Sequence, residues 1–350
     1  MAHVHDVIVV GGGHNGLACA TYLARKGLDV LVLERRSAVG GAAITDERWP
    51  GYHVSSAAYV VSLMPPRIVK ELELERFGYR VSILDPDYWA PFPDGSSLAL
   101  WGDSRKTAGE IARLNRRDAE RYLEFDRYFG RVAGMLKDLQ FVIPPNLTLG
   151  DLPHAIAIAA KLRHWTRRDV AEIVRLFTIS GADFLDEWFE DARVKGALGT
   201  QTILGAWCGP MSPGSAYVLM HHWIGEVDGR PGAWGWVHGG MGALSACIAQ
   251  AALAAGASIR KDTSVRRVVI AGGRAEGVEL DNGTERALVW DAKVRAYAEA
   301  KCSGSLFGEG RWQVLAVVPS IRRARTVAES AAKQGAGGLF WVALHSGLEN

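Results

Sequence analysis

The sequence predicts an α/β protein with a parallel β-α-β unit near its start, a β-meander around residue 270 and a mainly helical domain between them. Three observations carry this. Val7 to Val10 is an apolar β-branched run, followed by glycines, then by Leu17, Ala20, Leu23 and Ala24 at helical spacing, then by Val30 to Leu33. Long charged stretches open after Asp103-Ser104 and again near Asp151, with helical rather than alternating periodicity. Val265 to Ile270 and Gly277 to Leu280 flank the turn Ala271-Gly272-Gly273-Arg274 and end at Asp281-Asn282-Gly283.

Taken in order, the two β-branched runs joined by a helix make parallel, buried strands, and Gly27 stands where a left-handed glycine ends the helix. Ser37 to Pro66 reads as loops. Strands are expected at Tyr79 to Leu84 and Ser97 to Leu100, separated by the turn Pro93-Asp94-Gly95. A helical region should run from Ser104 to about Asp138, with a break at Pro144-Pro145, and a second from Asp151 to Leu198. Carrying no nucleotide or metal motif, these helices read as an inserted capping layer. Gly239-Gly240-Met241-Gly242 leads into an Ala-rich helix ending near Gly256, and Ser258 to Lys261 is a short strand before the meander. Beyond Arg286 the punctuation fades, leaving a strand at Val314 to Val318 and a helix at Ile321 to Lys333.

Composition narrows the function. A chain of 350 residues that is 48% hydrophobic buries a substantial core, enough for two domains. The formal charge of +2 creates no field for a polyanion, so nucleic acid is not an expected partner, and the basic clusters Arg116-Arg117 and Arg163 to Arg168 read as solvated helix faces. Cys19, Cys208, Cys247 and Cys302 lack the spacing of a redox dithiol or a metal site, and no metal is expected. No signal peptide, Arg-rich transit peptide or membrane-spanning run is read, which points to the cytoplasm, while contact with a bilayer surface stays open.

Gly11, Gly13 and Gly16 form a GxGxxG between strand and helix. The first glycine allows the tight turn, the second lets a pyrophosphate approach the backbone, and the third lets the helix pack closely. The helix N-terminus, with Asn15 in its first turn, offers amide donors and partial positive charge to the phosphates. Glu34 lies 18 positions after Gly16, at the end of the second strand, where a carboxylate accepts ribose hydroxyls and repels a 2′-phosphate. NADP is therefore disfavoured. NAD and FAD both remain at this point, because they share the adenosine and pyrophosphate that the unit reads.

The next segment, Arg35 to Ala43, carries a second glycine pair, Gly40-Gly41. Here the chain resembles the FAD-dependent oxidoreductases of the phytoene desaturase and amine oxidase superfamily. The resemblance continues through Pro50 to Val54, Asp94 to Ser96, Gly209 to Tyr217, His221-His222, Trp234 to Leu244 and Val265 to Leu280. It looks like the phytoene dehydrogenase-related branch that includes the pyridine nucleotide-disulfide oxidoreductase domain-containing protein 2 group, over roughly residues 6 to 283. The implied architecture is a Rossmann-like FAD-binding domain with a β-meander, formed by residues 1–85 and 215–285, plus a mainly helical substrate or cap domain at 86–214. By resemblance, Arg35, Gly40, Gly41 and Ala42 run close to the FAD ribose and pyrophosphate, Val265 contacts the adenine, and Gly239 and Gly240 lie near the flavin or its substrate mouth. Disulfide reduction is not expected, because the cysteine spacing is missing.

The resemblance implies a hydrophobic, isoprenoid-like substrate and hydride transfer to the flavin, which asks little of side chains beyond positioning. His221 and His222 are the candidates for acid or base work near neutral pH. Tyr59, Trp207, Trp223, Trp234 and Trp236 are candidates to line an apolar channel, and the 12 tryptophans exceed ordinary usage. After Glu285 the family's return strand and its C-terminal glycine-rich motif are not recognised, so 286–350 reads as a divergent segment. The alternative function is accordingly a truncated, non-catalytic remnant or interaction protein that keeps the nucleotide-binding fold.

Overall fold

The computed structural model describes residues 4–137, 139–143, 148, 151–271, 274–281, 314–318, 329, 332 and 340–344. It divides into two units, Met1–Asp262 and Thr263–Asn350.

The first unit begins with β1 (Val7–Val10), α1 (His14–Arg25) and β2 (Val30–Leu33), the strands parallel with Val7 opposite Val30. α1 buries Leu17, Ala20, Thr21 and Ala24 and ends before Gly27, whose φ of 84° is the left-handed value expected there. The stretch expected to be loop contains a hairpin instead, β3 (Asp46–Trp49) with β4 (Tyr52–Val54). Both strands are short and largely exposed, so no alternation of apolar residues announces them.

α2 (Pro66–Glu71) carries proline in its first turn, and β5 (Val81–Ile83) follows within the expected strand. β6 (Tyr88–Pro91) lies outside the expected strands, yet it pairs antiparallel with β7 (Ser97–Leu100) around a turn in which the Ser96 amide donates to Asp94 at 2.9 Å. The first helical region is two helices, α3 (Ser104–Ala112) and α4 (Arg116–Lys137). Asn115 divides them, because its side-chain oxygen accepts from the amides of Arg117 and Asp118 and so starts a new helix.

The second region is four helices: α5 (Leu152–Leu162), α6 (Arg167–Thr178), α7 (Gly181–Trp188) and α8 (Ala192–Gly199). Thr166, Ser180 and Asp191 cap the last three, with a full capping box between Thr166 and Asp169. α9 (Ser215–His221), β8 (Glu226–Val227), β9 (Arg230–Pro231) and β10 (Gly235–Val237) return the chain to β5, which pairs with β10. α10 (Met241–Ala254) is the Ala-rich helix, and β11 (Ser258–Arg260) pairs parallel with β2.

The parallel sheet therefore has the order β1-β2-β11. α1 and α10 build its core with Leu17, Val30, Val32, Leu244, Ile248 and Ala252. A second core, aromatic in character, lies among the helices: Phe125, Phe129 and Phe184 are fully buried, and the Phe129 and Phe184 rings stack at 5.5 Å. No helix of the described residues is long and apolar enough to cross a membrane.

The second unit holds β12 (Ser264–Ala271) and β13 (Arg274–Asp281), an antiparallel hairpin, and β14 (Val314–Val318) parallel to β15 (Phe340–Leu344). β12 and β13 are the first two strands of the expected meander, and a third strand after Gly283 falls outside the described residues. β14 matches the strand expected at Val314 to Val318. The expected helix at Ile321 to Lys333 lies almost wholly outside the described residues.

Candidate nucleotide-binding site

The cradle forms where β1 turns into α1. Gly16 lets the helix lie on that turn: a Cβ there would sit 2.3 Å from the Gly11 carbonyl oxygen. The second glycine pair arrives beside the first. The Gly40 amide donates to the Gly12 carbonyl at 2.8 Å, and Gly13 and Gly40 form a parallel bridge. Gly40 has φ of 132° and no room for a side chain, since a Cβ would meet the Ala43 carbonyl oxygen at 2.4 Å. A bare strip of backbone therefore faces whatever occupies the start of α1.

The N-terminal turn of α1 has no side-chain cap and no acidic residue, so its amides and partial positive charge are left for an anion. His14 adds a buried Nδ1 with no hydrogen-bond partner. Glu34 is 6% exposed and held at both oxygens: Oε2 accepts from the Gly12 amide at 2.7 Å and Oε1 from the Arg36 amide at 2.9 Å. Its remaining lone pairs suit ribose hydroxyls. Asn15, Arg35, Gly41 and Ala42 are exposed around this cradle. The residues present thus fit an adenosine and a pyrophosphate.

Next to the cradle lies a cleft of about 930 Å³, lined by Val39, Ile44, Thr45, Val54, Ser55, Tyr59, Trp236, Gly239, Gly240, Ala243, Ala246 and Lys261 among others. It begins α10, but this helix start differs from that of α1. The Gly242 amide donates to Thr45 Oγ1 at 2.9 Å and the Met241 amide to Ser55 Oγ at 3.0 Å. Its donors are already taken by hydroxyls from the β3–β4 region, so Gly239-Gly240 shape the cleft wall and α1 alone of the two presents an uncapped terminus. Thr45 and Ser55 escape a sequence reading because loop hydroxyls carry no periodic signal, although Thr45 follows the second glycine pair closely.

The structure brings Gly11, Gly13, Asn15, Gly16, Glu34, Arg35 and Gly40 to Ala42 together, with Gly239 and Gly240 across the adjoining cleft. Val265 lies on β12 in the second unit, opposite Leu280. His221 and His222 close α9 and do not line the cleft. His221 Nδ1 is 3.2 Å from the Tyr217 hydroxyl, while His222 is buried and stacked on Trp234 at 5.2 Å. Burial, with His221 beside it, pushes the His222 pKa down to about 4, so this ring is neutral at physiological pH. Of the aromatic candidates, Tyr59 and Trp236 line the cleft, Trp223 donates to Asp126, and Trp207 is fully exposed.

Comparison with known proteins agrees with this geometry. Residues 9–72 match the NAD(P)-binding Rossmann-like domain. The chain is 35% identical over 298 residues to pyridine nucleotide-disulfide oxidoreductase domain-containing protein 2 of Rattus norvegicus, covering 80% of this chain and 51% of that protein. It is 29% identical over 288 residues to a limonene dehydrogenase component of Castellaniella defragrans, covering 81% of this chain and 49% of the relative. A redesigned putrescine oxidase shares the fold at a TM-score of 0.51 and 22% identity, over 79% of this chain and 55% of that one. The chain spans about half the length of the curated relatives it matches. It carries a nucleotide-binding Rossmann-like domain and, over four-fifths of its length, is similar to pyridine nucleotide-disulfide oxidoreductase domain-containing protein 2.

Proposed function

We propose that this chain binds FAD at the α1 cradle and serves the oxidation of a hydrophobic, isoprenoid-like substrate by hydride transfer. The observation that carries the reading is the uncapped start of α1 set against the second glycine pair, with Glu34 clamped beside both. Bound FAD would supply a ring that accepts hydride. The chain's own residues do the rest. The first turn of α1 binds the pyrophosphate, Glu34 takes the ribose hydroxyls, and Gly40 lets the backbone approach the dinucleotide. In the adjoining cleft, Ile44, Val54, Tyr59, Trp236 and Ala246 present an apolar wall that excludes water and favours an apolar substrate. Similarity to a limonene dehydrogenase component supports a substrate of that class.

The test is spectroscopic. Purified protein should show flavin absorbance, released on denaturation, or should take up added FAD with a rise in melting temperature. Colourless protein whose melting temperature responds to NAD and not to FAD would sink the proposal.

A further inference from the structure

The apolar residues of α5 lie on the outside of the protein. Apart from His154 and Lys161 the helix is Leu, Pro, Ala and Ile throughout, and a helix apolar on every side normally belongs in a core. Here neither hydrophobic core takes a residue from it. Leu152 is 55% exposed and Ile156 60%, and none of the described side chains of α5 is buried. Trp165, packed against the aromatic core, ties the C-terminal end of this segment to the helical domain. α6 then adds an exposed apolar row, Val170, Val174 and Phe177, whose spacing puts them on one face.

The charge of this segment points to its occupant. Residues 152–168 include Lys161, Arg163, Arg167 and Arg168 and no Asp or Glu. Arg163, Arg167 and Arg168 are exposed, and among the described residues they form no ion pair. An apolar helix with cations at one end suits a bilayer interface, where the apolar side chains enter the acyl boundary and the cations meet phosphate. The 11 residues of α5 rise about 16 Å, roughly half of a hydrocarbon core of about 30 Å, so the helix can lie in the interface but not cross it. A second copy of this chain would bring the same cations together, and a nucleic acid would leave the apolar residues in water. We propose that α5 and the basic segment after it dock the protein on a membrane surface rich in anionic phospholipid.

The test sediments the full chain with vesicles of phosphatidylcholine alone and with vesicles of equimolar phosphatidylcholine and phosphatidylglycerol. The mixed vesicles should bind the protein about tenfold more tightly or better, and raised salt should weaken that binding. Ile156→Glu should abolish it, and because Ile156 is exposed the melting temperature should not fall. Arg167→Gln combined with Arg168→Gln should weaken binding to the mixed vesicles about tenfold and remove most of its salt dependence. Both arginines sit in the first turn of α6, where losing a cation does not cost helix stability. Equal binding to both kinds of vesicle, binding to neither, an unaffected Ile156→Glu variant, or light scattering that shows a dimer broken by Ile156→Glu would each overturn the proposal. Because none of these readouts needs FAD to bind, failure here is distinguishable from failure of the oxidoreductase reading.

Discussion

The Gly12 amide lies 2.7 Å from Glu34 Oε2, so the carboxylate proposed to read the ribose is fixed by the glycine turn proposed to read the pyrophosphate. The two recognition elements share a hydrogen bond and are oriented before ligand arrives. Glu34→Ala removes that acceptor and leaves the Gly12 and Arg36 amides without it. Charge-assisted hydrogen bonds contribute about 1.5–3 kcal/mol, so affinity for FAD should fall roughly 10- to 100-fold, read by fluorescence titration. Unchanged affinity would remove Glu34 from the proposed site.

Gly16→Ala tests the close packing of α1. Its Cβ would meet the Gly11 carbonyl at 2.3 Å, a backbone contact that cannot rotate away. A loss of about 1–3 kcal/mol in urea unfolding is expected from overpacking of this kind. Gly109→Ala, in α3 with nothing near its Cβ, should instead stabilise by about 0.5–1 kcal/mol and serves as the control.

Among the helices the most exacting polar site is Asp118, fully buried, whose oxygens accept from the Glu190 and Asp191 amides at 2.9 and 2.8 Å. Asp118→Ala strands both donors near the start of α8. A loss of roughly 2–6 kcal/mol is expected, at about 1–3 kcal/mol for each stranded group, with Asp118→Asn retaining part of the stability. Chemical denaturation reads both.

Asp87 and His222 should pull stability in opposite directions with pH. Burial raises the Asp87 pKa from 3.8 to about 6, so its native carboxyl holds a proton that the unfolded one releases, and stability falls as pH rises from about 4 to about 6. His222 is depressed from 6.5 to about 4, so its contribution is present above pH 6.5 and is lost as pH falls toward 4. In the wild type the two slopes offset each other. Relative to wild type, Asp87→Asn should become more stable as pH rises from 4 to 6, and His222→Phe less stable. Unfolding at pH 4, 5 and 6 measures both, and parallel slopes would show that burial does not govern these groups.

What the sequence makes legible follows from the range of the signals. β1, α1, β2 and Gly27 are specified by residues within 30 positions of one another, and each stands where periodicity and glycine chemistry put it. The divisions at Asn115, Thr166, Ser180 and Asp191 are also written locally, as capping side chains, but a periodicity reading smooths over them. The β3–β4 hairpin pairs locally, but its short exposed strands carry no alternation to mark it, and the Thr45 and Ser55 caps on α10 depend on partners nearly 200 positions away. His222 shows the limit in another way. Its identity suggests acid-base work, whereas its burial against Trp234, which only the fold reveals, keeps it neutral.

The order β1-β2-β11 also bears on how the chain acquires its shape. β2 ends at Leu33 and its other neighbour begins at Ser258, so the sheet under the cradle closes only after more than two hundred intervening positions have been made. A connection that long carries a large loop-closure cost and delays productive pairing. During synthesis the helices α3 to α8, rich in local contacts, would emerge and condense first, while the glycine turn waits with one flank of β2 open. Nucleotide binding should therefore be among the last properties the nascent chain gains, and variants that weaken β11 should accumulate as species with folded helices and no cradle.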